Sequence, residues 1–253
     1  MAETVLITGA ARRIGAAIAR RFAEGGYRVL IHFGHAEAEA EALAAELVAR
    51  GHMAEAFKAD LSDPGQIEAA LAPLAARHPG WSVLVNNASI FDYDSAKAPS
   101  RAVWLKAESV NLWSAILITK VFAAMRAGRP GAIVNLLDQK LANLNPDFFS
   151  YTLAKAALEA AGRMLAQAHA PQLRVLGVAP GLTLPSGDQT EAEFAKVARR
   201  NLLQRPTMPG DIAEAVFFAA TSAASSGQTL HVDGGQRFLP ASRDVMFTAR
   251  GEA

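Results

Sequence analysis

Two residues four positions apart could carry out proton chemistry. Tyr151 and Lys155 lie in a segment predicted to be helical, so their spacing places them on one face of a helix. An ammonium group beside a phenol favours the phenolate and lowers the pKa of the phenol. Tyr151 is therefore predicted to act as a proton donor near neutral pH, although the same spacing also fits a core tyrosine followed by a solvated lysine.

A carboxylate and an amide are the next candidates. Asp138 follows the apolar run Ile133–Leu137, a predicted strand, and precedes Tyr151 by thirteen residues. Ligands bind at the carboxyl ends of strands in open α/β sheets, so Asp138 is predicted to lie in a site; a helix cap or a solvated loop is the alternative. Asn111 lies in the middle of a long predicted helix beside apolar residues, where its amide needs a polar partner or a bound water.

A third feature is a glycine-containing turn between the first predicted strand and the first predicted helix. The segment from Thr8 to Gly15 reads TGAARRIG. Gly9 permits a tight turn, Gly15 permits close packing of the helix, and the helix N-terminus favours the phosphates of a dinucleotide. Two glycines also fit a plain strand-to-helix turn, so the prediction depends on the position of the segment at the first β-α junction.

The charges around this turn predict which nicotinamide dinucleotide is bound. NAD-binding proteins place an acidic residue at the end of the second strand, where it binds the ribose 2′-hydroxyl. Here that strand ends at His32 and Phe33, the first acid, Glu37, falls within the next helix, and Arg12 and Arg13 lie in the turn. Arginines without a competing carboxylate suit a 2′-phosphate, so NADPH is predicted as the cofactor; two merely solvated arginines are the alternative.

The elements that must position these residues alternate between short β-rich runs and longer helical runs, which is typical of β-α-β units. The predicted strands are 4–8, 27–33, 53–58, 83–85, 132–137, 174–178 and 229–232. The predicted helices are 14–24, 36–50, one that begins at Asp63-Pro64, 102–125, 149–169 and 210–222. Asp63 is predicted to cap its helix, with Pro64 at the first helical position.

Strands joined by crossover helices predict an α/β fold of the Rossmann type, a doubly wound parallel sheet of about seven strands covered on both faces. The 253 residues, 51% of them hydrophobic, suit one domain spanning 1–253, and no repeat or linker interrupts it. The less regular stretch of about 183–205 is predicted to be a substrate lid.

Composition and charge disfavour several classes of protein. The formal net charge of +1 does not favour a nucleic-acid partner. Cysteine is absent and the six histidines form no ligand-like cluster, so no metal site is predicted. No apolar run approaches the roughly 20 residues of a membrane helix. The first residues lead directly into a strand, so a cytoplasmic protein without a membrane partner is expected.

In combination, these motifs resemble the short-chain dehydrogenase/reductase family over nearly the whole chain. The matching segments, in order and at family-like spacing, are Thr8-Gly9 to Gly15, Asp60-Leu61, Asn86-Asn87-Ala88, Asn111, Tyr151 with Lys155, Pro180-Gly181 and Val232-Asp233-Gly234-Gly235. The resemblance implies a nicotinamide-dependent oxidoreductase in which Lys155 holds the nicotinamide ribose, Tyr151 handles the proton and Asn111 supports a water relay. The cofactor-binding residues expected from the charges and the resemblance are Gly9, Arg12, Arg13, Ile14, Gly15, His32, Phe33, Asp60, Leu61, Asn87, Ala88, Ser89, Lys155, Pro180, Gly181 and Leu182.

Two departures from the family pattern indicate a subgroup. Arg13 replaces the usual middle glycine of the turn, and Asp138 replaces the usual catalytic serine. Both substitutions resemble the pteridine reductases and the dihydromonapterin reductases. This resemblance implies hydride transfer from NADPH to the carbon of a pterin C=N bond, with the proton supplied by Tyr151 together with Asp138 and Lys155. The substrate-binding residues it implies are Arg13, Phe91, Asp138 and Tyr151, with Phe91 either stacked on the pterin or simply part of the core.

Two other functions stay open on the sequence. A carbonyl reductase of ketones, quinones or acyl thioesters would share the cofactor, Tyr151 and Lys155, and would keep its turnover after Asp138→Ser. A protein that senses NADP(H) without turnover is the second alternative, and the intact Asn111, Tyr151 and Lys155 disfavour it.

The expected partners are a small-molecule substrate and further copies of the chain. The family resemblance implies a homotetramer or a homodimer. The tail after Gly235 carries the apolar residues Phe238, Leu239 and Phe247, which are expected to contact a neighbouring subunit.

Overall fold

The computed structural model describes residues 2–187 and 189–250, and within them seven strands alternate with nine α-helices. The strands are β1 (Thr4–Ile7), β2 (Arg28–Phe33), β3 (Ala54–Lys58), β4 (Trp81–Asn86), β5 (Gly131–Leu136), β6 (Leu173–Pro180) and β7 (Thr229–Val232). The helices are α1 (Arg13–Glu24), α2 (Glu37–Ala49), α3 (Pro64–Arg77), α4 (Arg101–Glu108), α5 (Ser114–Arg126), α6 (Phe149–His169), α7 (Glu191–Val197), α8 (Pro209–Thr221) and α9 (Val245–Arg250).

The sheet has the order β3-β2-β1-β4-β5-β6-β7, and each neighbouring pair of strands is parallel. The order reverses between β1 and β4, the switch point at which doubly wound sheets bind ligands. Parallel pairing requires crossover helices on both faces, so central strands are apolar throughout. Accordingly, β1 and β4 are buried along their whole length. The predicted Rossmann-type fold is confirmed.

Two apolar layers hold the helices against the sheet. On one face α1 and α8 contribute Phe22, Ile212 and Val216, which are fully buried. On the other face α3 and α5 contribute Ile67 and Phe122. Burial of each such large side chain stabilises the fold by roughly 1.5–3 kcal/mol. These layers fix the strand ends from which the site is built.

Helix boundaries follow local signals in the sequence. The Asp63 carboxylate accepts the backbone N–H groups of Gly65 and Gln66 at 2.8 and 3.2 Å, and Pro64 occupies the first helical position of α3, as predicted. Ser100 caps α4 by accepting the N–H of Val103 at 3.4 Å. Within the described ranges, no helix combines the length and the apolar character needed to cross a bilayer.

Three elements differ from the sequence prediction. The predicted helix 102–125 is divided into α4 and α5 by a π-helical turn at Ser109–Trp113, which contains Asn111. The predicted lid contains the short helix α7, whose first turn is closed by reciprocal hydrogen bonds between Thr190 and Glu193. The C-terminal tail, for which no helix is predicted, forms α9.

Candidate active site

The carboxyl ends of β4, β5 and β6 open into one cavity of about 900 Å³. The sequence-predicted residues that line it are Arg13, Ile14, Asn87, Ser89, Phe91, Asp138, Tyr151, Lys155, Pro180, Gly181 and Leu182. The cavity therefore brings together residues predicted for proton transfer, cofactor binding and substrate binding. Its position beside the switch point is the one at which this type of sheet binds ligands.

A tyrosine and a carboxylate form the central pair of the cavity. The Oη atom of Tyr151, on α6, donates to Oδ2 of Asp138 at 2.8 Å. The other carboxylate oxygen, Oδ1, accepts the backbone N–H of Lys140 at 2.8 Å. Asp138 follows β5 directly, so the strand fixes the carboxylate and the helix fixes the phenol. The two groups can exchange a proton over one short hydrogen bond.

Burial changes the protonation of this pair. Burial raises the pKa of Tyr151 well above its usual value, and the neighbouring Asp138 charge raises it further. Burial also raises the pKa of Asp138, although the Lys140 N–H and Tyr151 hydrogen bonds oppose that shift. The expectation that Lys155 lowers the pKa of Tyr151 is thus wrong for this structure, since a buried phenol beside a carboxylate resists ionisation. Tyr151 stays protonated and is available as a donor.

Lys155 is placed to bind a ligand rather than to ionise Tyr151. Its Nζ atom donates to the carbonyl oxygen of Leu136 at 2.7 Å and lies 5.9 Å from the centre of the Tyr151 ring. Burial lowers the pKa of Lys155 to about 8. The side chain is 2% exposed, yet it lines the cavity, where its remaining donors can reach a bound hydroxyl group.

The helix that carries Tyr151 and Lys155 is held by a residue that sequence reasoning missed. Asp94, in the loop before α4, accepts the N–H of Ser150 at 2.9 Å and its hydroxyl at 2.6 Å. A carboxylate at this position satisfies the first turn of α6 and favours its dipole. Asp94 and Ser150 are 56 residues apart, so no local pattern could have predicted the contact.

Asn111 holds the loop after β4 instead of projecting into the cavity. Its side-chain oxygen accepts the N–H of Ile90 at 2.8 Å, and its side-chain nitrogen donates to the Ile90 carbonyl at 2.9 Å. This confirms that the buried amide finds polar partners, here on the main chain. The π-helical turn places Asn111 at this loop, since such turns redirect side chains within a helix.

The glycine turn leaves no room for larger residues. A Cβ atom on Gly15 would lie 2.3 Å from the Gly9 carbonyl oxygen, and one on Gly9, whose φ is +61°, would lie 2.9 Å from the Cα of Ala88. The Thr8 hydroxyl accepts the N–H groups of Asn87 and Ala88, both at 2.9 Å. Thus β1 and the loop after β4 are locked together beside the start of α1.

The N-terminus of α1 is a suitable place for a phosphate. Arg12 precedes the helix, and no side chain among the described residues caps the first turn. Its free N–H groups and the helix dipole favour an anion. The position fits the pyrophosphate of a dinucleotide, since the close approach at Gly9 and Gly15 keeps the surface small.

His32 has a different role from the one predicted. It is buried beneath the turn, where Nδ1 accepts the N–H of Gly9 at 3.0 Å and Nε2 lies 3.0 Å from the Ala59 carbonyl oxygen. These partners require an uncharged ring with its proton on Nε2, and burial lowers the pKa of His32 to about 4. The ring thus supports the turn from behind, because both nitrogens are used within the protein.

The two arginines of the turn are both exposed, but they differ in conformation and contacts. Arg12 lies 3.4 Å from Glu39 of α2, in an ion pair that water screens. Arg13 has a φ of +56°, the left-handed conformation that favours glycine, and its Nη2 donates to the Pro185 carbonyl of the predicted lid at 2.6 Å. Arg13 thus connects the turn with the lid across the cavity.

The remaining predicted cofactor residues do not all line the cavity. Asp60 accepts the Ser62 N–H and hydroxyl, and these hydrogen bonds lower its pKa. Phe33 and Leu61 are buried at the ends of β2 and β3, away from the cavity lining. At the other end, the Leu182 N–H donates to the Gln236 side chain at 3.0 Å. Gln236 is a positioning residue that sequence reasoning missed.

An aromatic group lies beside the proton-donating pair. The Phe91 ring stacks on Phe148 at 3.8 Å between centroids and meets Tyr151 edge-on at 4.7 Å. Phe91 also lines the cavity. Phe247, predicted to contact another subunit, instead packs within the chain, 5.3 Å from Tyr93. An aromatic surface next to a proton donor suits a flat substrate.

Groups of histidine and acidic residues suited to a metal ion do not occur in the described part of the chain.

Comparison with known proteins places the chain in a family. The family model described as enoyl-(acyl carrier protein) reductase matches residues 9–237. The 3-oxoacyl-[acyl-carrier-protein] reductase FabG of Staphylococcus aureus is 32% identical over 243 residues, which cover 93% of this chain and 98% of that protein.

Solved structures give a second set of relatives. The FolM alternative dihydrofolate reductase 1 of Brucella canis, complexed with NADP, matches with a TM-score of 0.88 and 36% identity over 96% of both chains. The Brucella suis protein of the same description, also in complex with NADP, matches with a TM-score of 0.87 and 36% identity, over 96% of this chain and 98% of that one. With its glycine turn, Tyr151 and Lys155, the chain is an oxidoreductase of the short-chain dehydrogenase/reductase family.

Proposed function

We propose that this enzyme reduces the C=N bond of a dihydropterin with NADPH. The observation that carries the proposal is the hydrogen bond between Tyr151 and Asp138, at 2.8 Å, in the position where the family usually has a serine. A serine hydroxyl suits a ketone oxygen. A carboxylate suits a pterin, which offers N–H donors and a ring nitrogen that needs a proton.

The dinucleotide would bind along the glycine turn and the cavity. The first turn of α1 would take the pyrophosphate, Asn87 and Ser89 would lie along the cofactor, and Lys155 would hold the nicotinamide ribose. The absence of a carboxylate at the end of β2, together with the exposed Arg12, supports NADPH over NADH. The NADP-bound FolM proteins, 36% identical to this chain, also support that choice.

The protein supplies and directs the proton. When bound, NADPH provides a hydride for the carbon of the C=N bond. Tyr151 gives its Oη proton to the ring nitrogen, so one C–H and one N–H bond form as the C=N π bond is lost. The tyrosinate that is left is reprotonated from solvent by way of Asp138, which takes up a proton, passes it to Tyr151 and returns to the carboxylate form. General acid catalysis of this kind contributes roughly 10²- to 10⁴-fold to a rate.

The shape of the site also supports a flat heterocycle. Phe91, stacked on Phe148, lines the cavity and offers aromatic surface to a flat ring. FolM is described as an alternative dihydrofolate reductase, and a dihydrofolate carries a dihydropterin ring. The substrate class is therefore proposed as dihydropterins, with or without a substituent on the ring.

A 3-oxoacyl thioester reductase is the second candidate, because a FabG protein is 32% identical over nearly the full length of both chains. That reaction would need Tyr151 and Lys155 and would gain nothing from the carboxylate of Asp138. The third candidate function is a protein that senses NADP(H) without turnover. The comparisons do not support it, since the relatives named above are reductases.

Steady-state oxidation of NADPH by the purified protein would test the proposal. We expect turnover with 7,8-dihydropterins and at least 100-fold lower kcat/KM with ketones, quinones and 3-oxoacyl thioesters. Efficient reduction of the thioesters, with no turnover of dihydropterins, would overturn the proposal and support the second candidate.

We also propose that the enzyme assembles as a dimer or tetramer. Large apolar side chains are exposed on the helices around the π-helical turn, and an interface would bury them. They are Leu105, Trp113, Leu153 and Met164. Light scattering would test this, since a monomer at micromolar concentration would contradict it.

A further inference from the structure

The C-terminal segment 239–250, here called the strap, forms one wall of the cavity. Most of its residues line the cavity, and Met246 packs with Phe148 and Tyr151 in one apolar cluster. The strap therefore contacts both the aromatic surface and the proton donor. Its last helix, α9, also packs against α7 of the lid, where Arg250 lies 3.0 Å from Glu193.

One buried ion pair connects the strap with the catalytic carboxylate. Lys140 Nζ lies 2.7 Å from Oδ2 of Asp244, with side chains 5% and 13% exposed. The backbone N–H of the same lysine donates to Oδ1 of Asp138 at 2.8 Å. Lys140 thus contacts the proton-transfer pair through its main chain and the strap through its side chain.

Other contacts attach the strap independently of Lys140. Asp147 accepts the Arg243 side chain and the N–H of Asp244, both at 2.8 Å. The Asn143 side chain donates to the Leu239 carbonyl at 2.7 Å. Because these bonds remain when Lys140 is replaced, the strap should stay near the cavity and lose only its fixed position.

Electrostatics gives the ion pair a second consequence. The charge of Asp244 raises the pKa of both Asp138 and Tyr151, whereas Lys140 lowers that of Asp138. A buried carboxylate left without its ammonium partner is costly and moves or takes up a proton. Loss of Lys140 would therefore disturb the strap and the carboxylate together.

We propose that Lys140 is a positioning residue that fixes the strap over the substrate and orients Asp138 toward Tyr151. The substrate part of this inference rests on the function proposed above. In the fixed position, the strap completes the wall against which a small, free substrate binds. Lys140 itself lies off the reacting atoms and acts through Asp138 and Asp244.

A double-mutant cycle with K140M, D244N and the combined variant tests this role. The substrate is the compound that the wild-type enzyme reduces. Each single variant should have a KM for it that is about tenfold higher than that of wild type. The change in kcat should be smaller, and the KM for NADPH should not change. The combined variant should be no worse than either single one, because the two residues act through one contact. The combined variant also leaves no unpaired buried charge. It can therefore still be measured if K140M does not fold.

Hydrogen–deuterium exchange of the strap gives a readout that needs no turnover. We expect peptides within 239–250 to exchange at least tenfold faster in both single variants than in wild type, with β5 unchanged. If the enzyme does not reduce dihydropterins, the exchange measurement still tests the position of the strap. The double-mutant cycle is then measured with the carbonyl compound that the enzyme does reduce. The proposal is overturned if folded variants exchange like wild type or if their KM effects simply add.

The matched control is a surface ion pair. Lys120 and Glu68 lie 3.9 Å apart on α5 and α3, with both side chains mostly exposed. K120M, E68Q and their combination should leave the strap exchange and the substrate KM unchanged, since exposed pairs contribute little. Effects as large as those of K140M would show that charge loss alone, and not the contact with Asp244, causes them.

Discussion

The phenolic O–H of Tyr151 donates a hydrogen bond to the carboxylate of Asp138 at 2.8 Å, so the two side chains form one hydrogen-bonded unit. The unit joins the end of β5 to α6, and burial raises the pKa of both members. A serine in place of Asp138 could accept the phenol hydrogen bond but has no carboxylate through which to relay a proton. The proposed proton transfer therefore depends on the carboxylate.

The first prediction concerns that carboxylate. Asp138→Ser should lower kcat/KM for a dihydropterin by at least about 100-fold, because the path that reprotonates Tyr151 is lost. The Kd for NADPH, measured by fluorescence titration, should be unchanged. If Asp138→Ser reduces 3-oxoacyl thioesters as well as wild type does and wild type ignores dihydropterins, the carboxylate has no such role.

The second prediction concerns the pH dependence of stability. His32 is held uncharged, with a pKa of about 4 against 6.5 in the unfolded chain. The contribution of uncharged His32 to the free energy of unfolding is present in full above pH 6.5. It is lost as the pH falls from 6.5 through about 4, because over that interval His32 is protonated in the unfolded chain but not in the folded one. The loss is on the order of 3 kcal/mol.

Urea unfolding at pH 7 and pH 4.5 measures this contribution. Wild type should lose more free energy of unfolding over that interval than His32→Asn, whose side-chain oxygen can still accept the Gly9 N–H but does not titrate. Equal losses in the two proteins would show that His32 titrates normally in the fold.

The third prediction concerns the choice of cofactor. Arg12→Ala should raise the KM for NADPH about 10- to 100-fold and leave the KM for NADH unchanged, because a charge-assisted hydrogen bond to phosphate is lost, worth about 1.5–3 kcal/mol. Arg50→Ala, another exposed arginine, serves as the control. An equal effect on both cofactors would place Arg12 away from the 2′-phosphate.

The fourth prediction separates strain from function at Arg13. A non-glycine residue at φ +56° costs roughly 1–2 kcal/mol. Arg13→Gly should therefore raise the Tm by about 2–8 °C, while weakening NADPH binding. Arg13→Ala lacks the same guanidinium and keeps the strain, so it should weaken binding without raising the Tm. A lower Tm for Arg13→Gly than for Arg13→Ala would contradict the strain.

The features predicted correctly from the sequence are those that depend on periodic apolar residues or on local rules such as helix capping. Periodic apolar residues predicted the strands, α6 was predicted at Phe149–His169, and the Asp63 cap was predicted from its residue type. Asp138 was predicted to lie in a site because it follows the end of a strand, and the family resemblance implied that Tyr151 and Lys155 share that site, which the cavity lining bears out.

Contacts between distant segments could not be predicted in the same way. Lys140 and Asp244 are 104 residues apart, and each looks like an ordinary surface charge in the sequence. His32 looked like a cofactor contact because it lies at the end of the second strand, where dinucleotides are bound, but strand alternation does not show which groups a buried ring will meet. The π-helical turn at Asn111 leaves no periodic signal, because it adds one residue to a single turn.

The most direct measurement is the transfer of deuterium from nicotinamide-deuterated NADPH, followed by mass spectrometry of the products. With a 7,8-dihydropterin, the enzyme should give a tetrahydropterin one mass unit heavier, with the deuterium on the carbon of the former C=N bond, and Tyr151→Phe should abolish it. A dihydropterin recovered without deuterium, alongside a 3-oxoacyl thioester converted to its deuterated alcohol, would contradict the proposed function.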